Sequence, residues 1–347
     1  MTSWKLKWHK ITHWEYWPME AVYYPIFPLW LYLAIKARSF FFFNAANPSI
    51  KNGGMAMESK MEIYDLIPNA YIPKTLLVQK QTSFETLSNL LQQSSLTFPI
   101  IAKPDIGMKA FGVEKLASLE SLQKYQEKIS HDFLVQELIE YPNEVGLFYV
   151  RQPHEKRGSI TGIVSKEFLS VTGNGKDTIT HLIKQNPRSH LQLPALRVKF
   201  GATLETILPV GQKFVLVPYG SHTRGAKFID DTHRVNDKLV HTINKICTQI
   251  PGFFYGRLDI LYTNFEDLAE GKNFKIIEIN GAGSEATHIY DPKHSLFYAW
   301  REIYKHWRLL YQISVANKQN GHTYLSYKDG TAMLRANSLL EAQLKLM

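Results

Sequence analysis

Two short segments, GRLDI (256–260) and KIIEIN (275–280), constrain this chain more than any other feature. Each alternates polar and apolar residues, the period of a strand with one face in a core. Alternation puts Arg257 and Asp259 on one face of the first strand, and Glu278 and Asn280 on one face of the second. Ile260, Ile277 and Ile279 mark both as core elements. Paired, the strands gather two carboxylates, a carboxamide and a guanidinium in one place. An inward-facing carboxylate is costly unless it meets a cation. Mg²⁺ or Mn²⁺ prefers oxygen ligands completed by phosphate oxygens. Asp259, Glu278 and Asn280 are therefore the candidate metal ligands; the alternative is a strand pair whose polar residues face water.

The chain has 347 residues, enough for two or three lobes around a cleft, and its 45% apolar share can build a core. Its formal charge of +9 points to an anionic partner: a nucleotide, an acidic substrate or a membrane surface. The basic residues are scattered rather than run together, so nucleic acid is not expected. One cysteine, Cys247, excludes a disulfide framework and fits a cytoplasmic location. The opening WKLKWHKITHWEYWP does not read as a signal peptide.

Residues 1–38 hold five of the seven tryptophans, Trp4, Trp8, Trp14, Trp17 and Trp30, which gives this segment its own character. The apolar stretch from Ala21 to Ala37 carries Pro25 and Pro28 and is too short to span a bilayer. Indoles beside Lys and His suit a membrane interface, such as the inner face of the membrane, or a lid packed on the protein's own core.

Ser39–Phe43 reads as an aromatic strand, followed by a turn-rich loop through Gly53-Gly54. Helical spacing begins at Glu58, and a new unit opens near Leu76. Strands are expected at 98–102, 133–139, 146–150, 160–166, 214–218, 256–262 and 274–279. Helices are expected at 119–129, 178–185, 236–250 and 296–316, with a helical appendage at the end. The fold class is α+β, with boundaries at 1–75, 76–292 and 293–347.

Two further segments bear on a nucleotide. In FPIIAKPDIGMKAFGVEKL a buried strand ends in Lys103, before a loop holding Gly107 and Gly112. Such a loop can cover phosphates with backbone N–H groups while a lysine supplies charge. It is not a Walker loop, since Val113-Glu114 follow Gly112. In FLVQELIEYPNEVGLF the strand end Gln136-Glu137-Leu138-Ile139 can present backbone groups to an adenine edge, with Glu144 toward the ribose.

Lys103 with its glycine loop, then VQELI with Glu144, then RLD and EIN, resembles the ATP-grasp superfamily from about Lys60 to Pro292. That resemblance implies two α+β subdomains clasping ATP with Mg²⁺ or Mn²⁺, preceded by a small lobe and followed here by C-terminal helices. It also implies two phosphate-contacting lysines, matched by Lys103 and Lys60. KEFLSVTGNGKDTITHLIKQN and GSHTRGAKFID are similar to segments of cyanophycin synthetase and bifunctional glutathione synthetases, and more distantly of D-alanine–D-alanine ligases. In the first, Lys166 takes the basic position, Phe168 stands for a proline and Asn174 for an aspartate. The second, running from Ser221 to Asp230, implies a place near the γ-phosphate and acceptor; His222 and Arg224 stand there for small polar residues. The implied activity is amide-bond formation between a small carboxylate and an amine, amino-acid-like or peptide-like, through an acyl phosphate. Arg257, Lys166 and Arg224 are the candidate catalytic residues. Gly281–Glu285 is the candidate close-approach loop, with Ser284 or Arg224 for the carboxylate. A phosphotransferase and a non-catalytic nucleotide-binding membrane-peripheral protein are the alternatives.

Overall fold

The structure, a computed structural model, describes residues 3–217, 220 and 222–345. The N-terminal segment forms three helices, α1 (Ser3–Thr12), α2 (Met19–Tyr23) and α3 (Phe27–Ala37). Pro18 and Pro28 sit at the starts of α2 and α3, where a missing N–H costs nothing. Arg38 closes α3 in the left-handed conformation. The strand expected at Ser39–Phe43 is absent: Phe42–Ala46 is a 3₁₀ turn. The reason is burial on all sides. Phe41, Phe42 and Phe43 are each at most 3% exposed, and three successive buried rings cannot share one face of a strand. A short helix α4 (Lys60–Asp65) follows, capped by Ser59.

The first sheet comprises β1 (Thr75–Val78), β2 (Ile100–Pro104), β3 (Glu114–Leu116) and β4 (Phe133–Glu137), in the order β1-β4-β2-β3. Helices α5 (Phe84–Ser94) and α6 (Leu119–Lys128) cover one face, packing on Ile100, Ala102, Phe133 and Val135. Alternation therefore turns Lys103 and Gln136 to the other face.

The second sheet comprises β5 (Asn143–Val150), β6 (Ser159–Glu167), β9 (Lys227–Asp230), β10 (Tyr255–Tyr262) and β11 (Phe274–Asn280), wholly antiparallel in the order β11-β10-β5-β6-β9. Between β6 and β9 lies a satellite with its own core. It contains the pair β7 (Ser170–Thr172) and β8 (Lys213–Val215) and the helices α7 (Ile179–Gln185) and α8 (Pro187–Phe200). The sequence pattern had given no sign of α8. Its apolar residues form no clear stripe, and Pro194 interrupts it. Of the strand expected at 214–218, β8 covers the first part; Pro218 lies outside the described residues.

Helices α9 (Asp237–Cys247) and α10 (Phe265–Ala269) cover the face of the second sheet that carries Val145, Leu147, Leu258 and Ile260. The opposite face is divided. Phe148, Val150 and Tyr255 join an apolar cluster with α3 and the long helix α11 (Leu296–Gln319). On the same strand faces, alternation carries Glu144, Gly146, Arg257 and Asp259 beyond that cluster. A last helix, α12 (Tyr327–Leu344), crosses the N-terminal segment, its Gly330 against the ring of Phe41. The protein is thus α+β, as its sequence indicated.

Candidate active site

The register of β10 and β11 pairs Arg257 with Asn280 and Asp259 with Glu278, so the four side chains share one face as expected. Gly146 lies opposite Asp259 on β5; a Cβ there would stand 3.2 Å from Asp259 Oδ1 and 3.3 Å from Arg257 Cδ. Glycine leaves the room these side chains occupy.

Asp259, 4% exposed, accepts hydrogen bonds from Arg257 Nε and Nη2, both at 3.0 Å, and from Lys166 Nζ at 3.1 Å. Lys166 also donates to Glu144 Oε1 at 2.6 Å. The second oxygen of Glu144 accepts the Gly220 N–H at 3.1 Å. Two cations and two anions thus form a closed, buried network. Burial pushes the Asp259 carboxyl up, but Arg257 and Lys166 outweigh it and hold its pKa below the usual range. Burial likewise pushes Lys166 down, and Asp259 with Glu144 reverses this to a net rise. Glu144 spends both oxygens here, on the face it shares with Asp259, rather than standing free for a ribose. Gly220 permits the approach: a Cβ there would lie 2.2 Å from Lys166 Cδ.

A second cationic group comes from the first sheet. Lys103 Nζ, buried, donates to Tyr64 Oη at 2.8 Å, Gln136 Oε1 at 3.0 Å and the Ile277 carbonyl at 3.3 Å. Tyr64 Oη donates to the same carbonyl. This ties the lysine of one sheet to the metal-candidate strand of the other. Lys60 Nζ donates to the carbonyls of Gly107 at 3.0 Å and Asp105 at 3.3 Å, and stands 3.9 Å from Glu278. Burial, helped by Lys103, lowers its pKa despite Glu278. The glycine loop therefore folds back on Lys60. Asp105 fixes its start by accepting the Met61 N–H at 2.9 Å. Gly112 takes a left-handed φ of 68°, whereas Gly107 is needed only for its approach to Pro104.

Gln136 and Glu137 belong to β4, which pairs on both sides with β1 and β2. The Gln136 side chain joins Lys103 to Thr75, and the Glu137 N–H is taken by Lys74 O at 2.9 Å. Backbone free of the sheet begins at Leu138 and Ile139, both half-buried. Arg224 donates to Ala110 O of the glycine loop at 3.4 Å and lies over the Phe111 ring, so its loop and the phosphate-candidate loop meet. Ser221 lies outside the described residues. Ser284 is turned back onto Gly281 O at 2.5 Å, not outward.

Gly53 and Gly54 pack backbone to backbone against Gly281–Gly283: Ala282 N–H reaches Gly53 O and Gly283 N–H reaches Gly54 O, both at 2.9 Å. Asn47, fully buried, binds Gly53 and both Phe254 and Tyr255. Asn44 anchors residues 323–325. These residues brace the end of β11.

Three residues escaped the sequence reading. Glu15, 8% exposed, accepts from Arg188 Nη2 at 2.6 Å and contacts His222 Nε2 at 3.2 Å. Tyr23 donates to Glu285 Oε1 at 2.6 Å, beside a second donor, Tyr290, at 3.0 Å. The N-terminal segment thus holds the loops on both sides of the site. Glu58 carries a buried Oε2 without a hydrogen-bond partner, and burial raises its pKa. Only Glu58 had a sequence signal, its place two residues before Lys60.

Among the described residues, no group of three or more His, Cys, Asp or Glu side chains is placed to hold a metal alone. The donor set nevertheless fits a hard cation shared with a ligand's oxygens. Glu278 is only loosely held by Lys60 and keeps lone pairs for a cation, whereas the unpartnered Asn280 Nδ2 is a donor suited to a ligand oxygen.

No family model matches the chain. It is 26% identical over 147 residues to a bifunctional glutathione biosynthesis protein of Clostridium perfringens, covering 38% of this chain and 18% of that protein. Similar solved structures include a bifunctional glutathione synthetase from Pasteurella multocida (15% identity, TM-score 0.38, 70% of this chain and 36% of that one). A D-Ala:D-Ser ligase from Enterococcus faecalis (15% identity, TM-score 0.44) covers 75% of this chain and 62% of its own. A D-alanine–D-alanine ligase from Bacillus anthracis (13% identity, TM-score 0.44) covers 78% and 70%. The chain therefore spans about a fifth of the curated relative and roughly a third to two thirds of the first two structures. Glutathione synthetase and D-alanine–D-alanine ligase, two of the three names the sequence motifs raise beside cyanophycin synthetase, occur among these proteins.

Proposed function

We propose that this protein is an ATP-grasp carboxylate–amine ligase, which activates a small carboxylate with ATP and joins it to an amine. The observation that carries this reading is the convergence of four buried or half-buried cations, Lys60, Lys103, Lys166 and Arg257, on the face bearing Asp259, Glu278 and Asn280. Lys166 and Arg257 are balanced by Asp259 and Glu144, but Lys60 and Lys103 meet mainly neutral oxygens, which leaves their charge for a ligand to balance.

In this reading the ATP-binding unit is 76–292, with Lys60 reaching in from before it. Lys60 and Lys103 bind the phosphates beneath the glycine loop, and Leu138 and Ile139 offer the first free backbone groups to the adenine. A divalent cation held by Asp259, Glu278 and Asn280 would neutralise phosphate oxygens. The substrate carboxylate attacks the γ-phosphorus, ADP leaves, and an amine displaces phosphate from the acyl phosphate. Arg257 and Lys166 hold Asp259 in place, and Arg224 stands toward the acceptor side. Catalysis comes from positioning and charge stabilisation, so no side-chain nucleophile is needed.

The test is ADP release from the pure protein against pairs of amino acids, small acids and amines, with mass spectrometry of the product. Phosphate release that requires both partners, and a product linked by an amide, is expected. A phosphorylated acceptor formed without an amine would replace this reading by a phosphotransferase.

A further inference from the structure

The N-terminal helices bury one face and leave another uncovered by any described part of the chain. On α3, Trp30, Leu33 and Ala34 turn inward, whereas Leu31, Tyr32 and Ile35 are 43%, 56% and 77% exposed. On α1, Trp4 and Trp8 are 69% and 56% exposed, one helical turn apart, with their rings stacked at 6.0 Å. Scattered exposed apolar residues are ordinary, but two such faces within forty residues are not. Their surroundings are basic. Helix α1 has exposed Lys5, Lys7 and Lys10 and no acidic residue; α3 ends in exposed Lys36 and Arg38.

A cleft of about 700 Å³ opens at that end of α3. Lys36, Arg38 and Lys318 line it together with aromatic rings, and no acidic residue does. Lys36 Nζ lies 5.5 Å from the Tyr32 ring and 5.8 Å from the Tyr311 ring, joining the exposed face of α3 to the cleft.

We propose that these faces seat the protein on an anionic lipid bilayer, with the cleft taking the phosphate headgroup of an anionic lipid. Charge complementarity decides the occupant: three cations and no acid in the cleft suit a phosphate, while indoles and tyrosines suit the acyl–headgroup boundary. No described helix is long and apolar enough to cross a membrane, so the contact is interfacial. No residue lining the cleft is a candidate nucleotide-site residue, so the failure of this proposal and that of the ligase reading are separable.

The test is co-sedimentation of the full chain with vesicles of phosphatidylcholine, with and without phosphatidylglycerol. Binding to the anionic vesicles alone is expected. Leu31→Ser with Ile35→Ser should weaken it at least tenfold, and Lys36→Glu with Lys318→Glu by about fivefold per residue. Far-ultraviolet circular dichroism and ADP release should stay unchanged. The proposal is overturned if the chain stays in solution with both vesicle types. It is equally overturned if Leu31→Ser with Ile35→Ser leaves vesicle binding intact. A dimer in sedimentation equilibrium that the same pair dissolves would assign the surface to a second copy instead.

Discussion

Lys60 and Lys166 are both largely buried, yet their ammonium groups answer burial in opposite ways. Lys166 sits between Asp259 and Glu144, and its pKa rises; Lys60 meets mainly carbonyls and a distant Glu278, and its pKa falls. For Lys166 the folded value lies above the unfolded value of about 10.4. Its stabilisation is therefore complete below that value and is lost as pH rises through the folded pKa. Lys166→Met should cost about 3–5 kcal/mol, because Glu144 is left buried with only the Gly220 N–H. Denaturant unfolding at neutral pH checks this. For Lys60 the sign reverses: between its lowered folded value and the ordinary value the unfolded chain binds more protons, so stability rises with pH. A bound triphosphate would restore its proton. Nucleotide binding should thus take up protons in that window, seen by calorimetry in buffers of different ionisation enthalpy, and Lys60→Met should abolish the uptake. Asp259→Asn tests the other side of the site. It keeps the shape but removes the charge that holds Arg257 and Lys166, and should lower ADP release about a hundred- to thousandfold, as loss of a charge-stabilising group does.

At the scale of elements, legibility divided along a physical line. Arg257, Asp259, Glu278 and Asn280 were readable because two-residue alternation is local, and the observed register keeps all four on one face. The aromatic run at Phe41–Phe43 was misread because local pattern cannot tell a strand from a turn buried among helices. Glu15 was unreadable: its partners Arg188 and His222 are 173 and 207 residues away in sequence. That contact makes the N-terminal segment a strap over the loop of His222 and Arg224. Arg188 and His222 hold the Glu15 pKa below the ordinary carboxylate value, although burial opposes them. Its contribution is present above the unfolded value of about 4.3 and is lost as pH falls through the folded one. Glu15→Gln strands the Arg188 guanidinium and should destabilise the protein by about 3 kcal/mol. If the strap also positions Arg224, KM for the acceptor should rise more than kcat falls; a change in thermal stability alone would confine Glu15 to the fold.

Across the whole molecule, the N-terminal segment and the last helix converge on the glycine loop region. Helix α12 reaches it last. Lys109 in the glycine loop donates to Glu341 at 2.7 Å, Leu344 would lie 3.5 Å from a Cβ on Gly107, and Gln343 contacts His131 at 2.9 Å. The Lys109–Glu341 pair is too exposed to contribute much stability by itself. What holds α12 down is its first turn, where Gly330 meets the buried ring of Phe41 so closely that a Cβ would stand 2.4 Å from ring carbons. Two effects compete on substitution. Alanine in a helix interior gains about 1 kcal/mol over glycine, but forcing a methyl against an immobile ring costs about 1–3 kcal/mol. Gly330→Ala should therefore come out near neutral to mildly destabilising. Gly330→Val adds bulk and loses propensity, so it should lower stability clearly and lift α12 from the body. The loop would then lose Glu341 and Leu344 together. KM for ATP should rise in Gly330→Val, and Glu341→Gln alone should reproduce only a small part of that rise. If Gly330→Val lowers thermal stability while leaving KM for ATP unchanged, α12 covers the core without bearing on the glycine loop.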